Sequence, residues 1–406
     1  MPDESERSYR ALAAVPHLMR MVLGMVAARF AEHMTALALV LFTLQRFEDA
    51  ALTGLVTFVA ILPGLLVSPL AGALLDRHGR TPLIVLDLVI AAASLWLVAI
   101  LTMVDALPAW LLVTIVGVNS LTGPLSRTGF RSLFPVIVPA HLWERANAID
   151  SNSHLLASVA GPPLAGALLE LASAPVALGA IGTMFAVAAI TLRRVPEPHM
   201  EIASSGRLVR DAWDGLVYTV RNRTLLGLGI SMSMLNVACG IIVIVVPLLV
   251  LERFNGSDTT VGLLFAAQGA AGGVAALSFG RMKTAGRERG MLALSALLFA
   301  MTLGLLAIPS LVAVAVALAL LGFLDGPMDV ALFTLRQRRT STAWIGRAFA
   351  VSMSVNFLGY PIGSMIAGAL GPRHIETSVV VAIVAAVAAA VLTWLLLPRS
   401  GTAEAR

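Results

Sequence analysis

What most constrains this chain is a succession of apolar stretches, each about 20 residues long, separated by short polar breaks. A helix of about 20 apolar residues crosses the hydrocarbon core of a bilayer. No soluble domain of this length has an interior large enough to hide so many of them. With 58% hydrophobic and only 13% charged residues in 406, most of the chain is expected to have lipid as its solvent. Spans read near 18–45, 52–75, 83–104, 109–133, 147–170, 175–192, 225–251, 259–281, 290–308, 310–333, 347–370 and 376–397. Turn residues mark the breaks, among them Asp49, Pro82, Asp105 with Pro108, Asn255-Gly256, Pro309 and Gly371-Pro372.

Charge then sets the topology. Met1–Tyr9 is acidic and polar and lacks the basic start and short apolar core of a signal peptide, so it reads as a cytoplasmic tail. If the N-terminus is inside, all of the 28 basic residues except Arg29, Arg46, Arg253 and Arg373 fall in inside loops or tails. Cytoplasmic enrichment of Lys and Arg is the normal signature of inserted helices. It accounts for the net charge of +5 without nucleic acid, and it predicts that both termini are cytoplasmic. Cys239 stands alone, which excludes an intramolecular disulfide and any multi-cysteine metal site.

The longest polar stretch divides the spans six and six. The expected organisation is a cytoplasmic tail 1–17, a six-helix bundle 18–192, a cytoplasmic linker 193–224, a second six-helix bundle 225–397 and a cytoplasmic tail 398–406. Within the linker, Leu208, Ala212, Gly215-Leu216 and Tyr218-Thr219 recur at helical spacing, so it reads either as an amphipathic surface helix or as a solvated connector. The halves echo each other: Gly117 to Pro124 in the fourth span resembles Gly322 to Pro327 in the tenth, and Leu164-Ala-Gly-Ala-Leu168 resembles Ile366-Ala-Gly-Ala-Leu370. Repeated halves around a mid-membrane site are the pattern of secondary transporters.

Between the second and third spans stands Gly72-Ala-Leu-Leu-Asp76-Arg77-His78-Gly79-Arg80. It resembles the G-x-L-A-D-R-x-G-R-K loop signature of the major facilitator superfamily, matching at Gly72, Leu74, Asp76, Arg77, Gly79 and Arg80. Physically, Gly72 permits close helix approach, Asp76 can accept hydrogen bonds from a helix N-terminus, and Gly79 lets the chain reverse tightly. The resemblance implies an all-α membrane protein with the major facilitator fold, twelve transmembrane helices in two six-helix bundles. It also implies that Asp76, Arg77 and Arg80 latch the halves on the cytoplasmic side, with Gly346-Arg347 as partner. The bland alternative is a basic turn that serves topology only. The second-half equivalent, Gly280 to Arg289, lacks the aspartate.

In the fifth span, Gly161, Pro162 and Gly166 match a G-x-x-x-G-P-x-x-G-G pattern associated with exporters of that superfamily, with Ala157 and Ala165 standing where the pattern has glycine. Small residues allow close helix packing and proline bends the helix.

The first span carries Arg29, Glu32 and His33 on one face, about 18–24 Å from its cytoplasmic start at 1.5 Å per residue. Ionisable groups at that depth face a bundle interior or a wet cavity. Glu32 is the leading proton-coupling carboxylate; the alternative is a static Arg29–Glu32 pair. His33 either titrates or hydrogen-bonds across the bundle. Asp325 in the tenth span is a second carboxylate for proton or cation binding, Asp329 is expected to pair with Arg336, and Asp87 reads as structural. Asn119, His154, Asn236, Gln268 and Asn356 either bond between helices or line a cavity with Arg29 and His33.

No phosphate loop, paired histidine motif or nucleophile elbow occurs, so an enzyme is not expected and no cofactor or metal is implied. The order of features is similar to that in the superfamily branch of bacterial macrolide, multidrug and enterobactin exporters. That resemblance implies a proton-coupled exporter of drugs or small partly apolar metabolites, monomeric and multi-pass in the bacterial cytoplasmic membrane, with protons, a small-molecule substrate and the lipid bilayer as its partners. A metabolite importer or facilitator of the same fold is the alternative, ahead of a transport-inactive sensor.

Overall fold

In a computed structural model, residues 9–197, 208–280, 282, 284, 286–341 and 344–398 are described. Twelve helices among them are long and apolar enough to cross a membrane, and no strand occurs among them. In chain order they are α1 (Leu18–Phe47), α2 (Ala50–His78), α3 (Arg80–Met103), α4 (Ala109–Ile137), α5 (Trp143–Leu171) and α6 (Ala174–Leu192). The others are α7 (Arg223–Leu248), α8 (Asp258–Phe279), α9 (Glu288–Leu303), α10 (Leu311–Arg338), α11 (Ile345–Phe357 and Gly359–Leu370) and α12 (Ile375–Leu396). Large apolar side chains such as Leu66, Met103, Val312 and Leu395 point outward, where lipid satisfies them.

Two differences from the sequence expectation have local causes. The fourth and fifth spans are longer than expected, joined only through Val138, Pro139 and a turn at Ala140–Leu142, so Arg145 is helical rather than a loop residue, and Arg127 and Arg131, counted with that loop, stand within α4. The eleventh span breaks at Leu358, because Pro361 lacks the N–H that would bond the carbonyl of Phe357 one turn earlier.

Among the first six helices, α3 packs on α4 and α6, α1 on α5 and α6, and α2 on α4. Among the last six, α7 packs on α11 and α12, α9 on α10 and α12, and α8 on α10. Two seams join the sets, α5 along α8 and α2 along α11. Both depend on paired glycines. A Cβ at Gly166 would stand 2.2 Å from the Asp258 carbonyl, one at Gly262 2.5 Å from the Pro162 carbonyl, and one at Gly368 2.5 Å from the Ala50 carbonyl. These contacts lie at the end of the bundle opposite the termini, where α2 and α8 begin and α5 and α11 finish. Backbones approach this closely only where no side chain intervenes.

The linker contains a helix, Leu208–Arg221, packed on the first part of α11. Tyr218 stacks on Trp344 with ring centroids 5.0 Å apart, and Asn222 both caps α7 and donates to the Arg339 carbonyl at 2.9 Å. Residues 1–8, 198–207 and 399–406 of the expected tails and linker lie outside the described residues.

Candidate functional site

Half-way along α1, three polar side chains separate by partner. The Arg29 guanidinium donates to the Asp150 carboxylate and to the Ser153 hydroxyl of α5, each at 2.6 Å, and to the Asp150 carbonyl. Arg131 of α4 reaches the same carboxylate at 3.9 Å. Glu32 instead takes an ion pair from Arg127 of α4. His33 stands edge-on to His154 of α5, ring centroids 5.1 Å apart. That approach depends on Gly161, where a Cβ would be 2.8 Å from the Cβ of His33. Asp87 of α3 is buried against the Ser126 and Thr122 hydroxyls of α4, within electrostatic reach of Glu32 and Arg127. The Arg29–Glu32 pair weighed above is therefore absent: each member has a partner on another helix.

Glu32 and Arg127 are 39% and 62% exposed as side chains, although their ion pair joins two membrane-spanning helices, α1 and α4. A charged side chain accessible part-way along a membrane-spanning helix faces a bundle interior or a wet cavity rather than lipid. The same holds across the molecule for Asp325, half-buried on α10 near Cys239 of α7, and for Asp329, exposed one turn on. Arg336 does not form a hydrogen-bonded pair with Asp329. It is fully buried, donates to the Met353 sulfur, and lies 5.9 Å and 5.6 Å from the ring centroids of Phe333 and Phe349.

The cavity is closed at the end opposite the termini. Gln45 of α1 donates to both carboxylate oxygens of Asp258, at 2.7 and 2.8 Å, and the Thr259 N–H donates to Glu170 of α5 at 3.1 Å. Both bonds hold the first turn of α8 against the first six helices, beside the Gly166–Gly262 seam. The exporter-type stretch Gly161, Pro162 and Gly166 thus touches α1 at one point and the second half at another.

The loop signature folds differently from the expectation at two of its residues, Asp76 and Gly72. Gly79 adopts φ +89°, as the tight turn requires. The acceptor at the start of α3, however, is Glu197, whose Oε2 takes the N–H groups of Arg80 and Thr81 at 2.7 and 2.9 Å. Asp76 instead accepts from Arg80 at 2.8 Å. No heavy atom lies within 4 Å of a Cβ built at Gly72, and Arg77 is exposed. Arg347 opens α11, with its side chain outside the described residues.

Of the other polar residues, Asn236 donates to the Asn356 carbonyl at 3.1 Å, joining α7 to α11, and the Gln268 carbonyl lies against Gly322 where α8 meets α10. Asn119 is half-buried on α4. Sequence reasoning missed Arg127, counted with a loop, and Asp150 and Glu197. Asp150, Ser153 and His154 at i, i+3 and i+4 on one face of α5 were the available signal. Among the described residues, no group of three His, Cys, Asp or Glu side chains is placed to hold a metal ion.

Two bundles joined along paired seams, enclosing a wet cavity with buried charge, define a polytopic membrane transporter. The sequence model of the Major Facilitator Superfamily matches residues 21–248 and again 226–406, and the chain belongs to that family. It is 36% identical to the uncharacterized MFS-type transporter y4rN of Sinorhizobium fredii, over 97% of this chain and 98% of that one. It is 22% identical to macrolide efflux protein A of Streptococcus pyogenes, over 86% and 88%, and 27% identical to the enterobactin exporter EntS of Salmonella typhi, over 80% and 76%. Two solved structures share the fold. The nucleoside transporter NupG superposes with a TM-score of 0.73 at 12% identity, over 94% of this chain and 98% of that one. A bacterial homologue of the iron transporter ferroportin, in an inward-facing state, gives 0.70 at 17%, over 94% and 99%. The family is one of transporters, not enzymes.

Proposed function

We propose that this chain exports small, partly apolar compounds in exchange for protons, by alternating access between bundles 18–192 and 225–397. The observation that carries the reading is the Glu32–Arg127 pair, which joins α1 to α4 with both side chains still accessible. A proton arriving on Glu32 removes the charge that holds Arg127, leaving the guanidinium within electrostatic reach of Asp87. Loss of an ion pair between α1 and α4 changes what holds those helices together, so protonation and shape are linked. Asp325 is the corresponding carboxylate on the opposite wall. Arg29, His33, Asn119, His154, Asn236, Gln268 and Asn356 are the remaining polar residues proposed for the cavity and its walls.

Similarity to the macrolide and enterobactin exporters supports the outward direction. The charge asymmetry supports termini on the cytoplasmic side of a bacterial membrane, so the arrangement described is open inward. In the opposite state, Gly72, Asp76, Arg77, Gly79, Arg80 and Arg347 are proposed to close the cytoplasmic end, with a helix filling the free space beside Gly72. The chain is proposed to work as a monomer.

The test is drug accumulation in an efflux-deficient host expressing Glu32→Gln. Accumulation at the level of the empty host is expected at every external pH; export equal to that of the unaltered chain would remove Glu32 from coupling. Transport measured in inverted membrane vesicles fixes direction, since uptake into them on acidifying the lumen is export.

A further inference from the structure

We propose that the groove between the start of α9 and the end of α12 binds the headgroup of an anionic phospholipid. The groove encloses about 700 Å³ and is lined by Arg287, Arg289, Met291, Leu294 and Trp394, with Gly286 and Gly290 at its floor. It lies where two membrane-spanning helices reach the end of the bundle that holds the termini, which is the headgroup level of that leaflet.

Its charge is one-sided for a visible reason. Glu288 stands between the two arginines in sequence, but its carboxylate is turned inward, 6% exposed, and bonded to Arg338. Arg287 projects into solvent and Arg289 remains half-exposed, so the groove presents two guanidinium groups, and no acid is among the residues that line it. Arg289 is fixed in place: it donates to the Trp394 carbonyl and its Cζ lies 4.4 Å from the centroid of the Trp394 ring. Stacking on an aromatic face holds a guanidinium while leaving its other N–H groups free for an oxyanion. The Nε of Arg289 is buried and has no hydrogen-bond partner in the protein.

Below the arginines, the wall turns apolar at Met291 and Leu294, the latter strongly exposed toward lipid. A phosphodiester above and acyl chains below is the one membrane component with that polarity gradient. A free phosphate would leave the apolar wall uncovered, and a zwitterionic lipid would bring its own cation against the arginines. Tryptophan at this depth is where membrane proteins place an amphipathic ring.

The experiment uses the full chain in nanodiscs of equal phosphatidylglycerol and phosphatidylcholine, with native mass spectrometry counting the lipids retained. The unaltered protein should keep phosphatidylglycerol in preference. Each arginine near an anionic headgroup contributes about fivefold, so Arg287→Gln with Arg289→Gln should reduce the preference on the order of 20-fold. Arg287→Gln alone alters an exposed side chain, leaves the Trp394 stack in place, and should reduce it about fivefold. A preference unchanged in both variants, or equal retention of the two lipids by the unaltered chain, overturns the proposal. So does a Leu294→Cys disulfide dimer forming as readily in phosphatidylglycerol as in phosphatidylcholine, which would make the groove a contact between copies.

Discussion

Two arginine–carboxylate pairs in the first half look alike in sequence and differ in physics. Arg29 and Asp150 are 10% and 14% exposed, so removing one partner leaves a buried charge without its main counter-charge. Breaking such a buried pair typically costs about 3–5 kcal/mol. Asp150→Asn should therefore lower the unfolding temperature of the purified protein sharply, and a double-mutant cycle with Arg29→Met should recover part of the loss. Glu32 and Arg127 face the wet cavity, where an ion pair contributes about 1 kcal/mol or less. Glu32→Gln is expected to abolish export while leaving the thermal midpoint nearly unmoved. Equal destabilisation by the two substitutions would make Glu32 a structural residue. The sequence marked Arg29, Glu32 and His33 by their spacing and their depth in the first span. Their partners were not legible, because Asp150 lies 121 positions from Arg29 and Arg127 lies 95 from Glu32, and nothing local encodes which helices meet.

At the scale of elements, the seams α5–α8 and α2–α11 decide which end of the cavity is open. Gly166→Leu inserts a side chain where even a Cβ would stand 2.2 Å from a backbone oxygen. The substitution should separate α5 from the start of α8 and shift the population toward the state open at that end. With Cys239 replaced by Ala, a cysteine at Asp258, 6% exposed here, should then react with an impermeant maleimide about tenfold faster from that side, a change of about 1.4 kcal/mol in the equilibrium. An unchanged rate would mean that the seam does not control access. Helix positions were readable from hydropathy to within a few residues, with turn residues such as Asp49 confirmed as caps. The boundary errors have physical causes: a charged residue in the first turn of a helix, such as Arg145 in α5, looks like a loop residue to any rule based on polarity. The role given to Asp76 at the start of α3 passed to Glu197, which the chain brings back from the far side of four helices.

For the whole molecule, the repeated halves were read from echoed Gly-Pro and Ala-Gly-Ala segments, and the family model matches the chain in two stretches, residues 21–248 and 226–406. Orientation rests on arginine placement. Fusions of alkaline phosphatase to either terminus should be inactive in a bacterial host and fusions of a green fluorescent protein bright. Phosphatase activity at either end would reverse the assignment of inside and outside. The linker helix, stacked through Tyr218 on Trp344 and tied by Asn222 to Arg339, is held against the second bundle. The cavity's contents and cargo could not be read from one sequence, because a binding wall is assembled from side chains on helices distant in the chain.

The bonds from Gln45 and Glu170 to the first turn of α8 also bear on pharmacology. A blocker aimed at the cavity from the compartment facing that clamp meets two packed glycine seams and no passage. Its site exists for it only during the fraction of each cycle in which the clamp parts. Such a compound should therefore inhibit in proportion to turnover, weakly in resting cells and strongly in cells transporting at full rate, whereas a compound entering from the other side should show no such use-dependence.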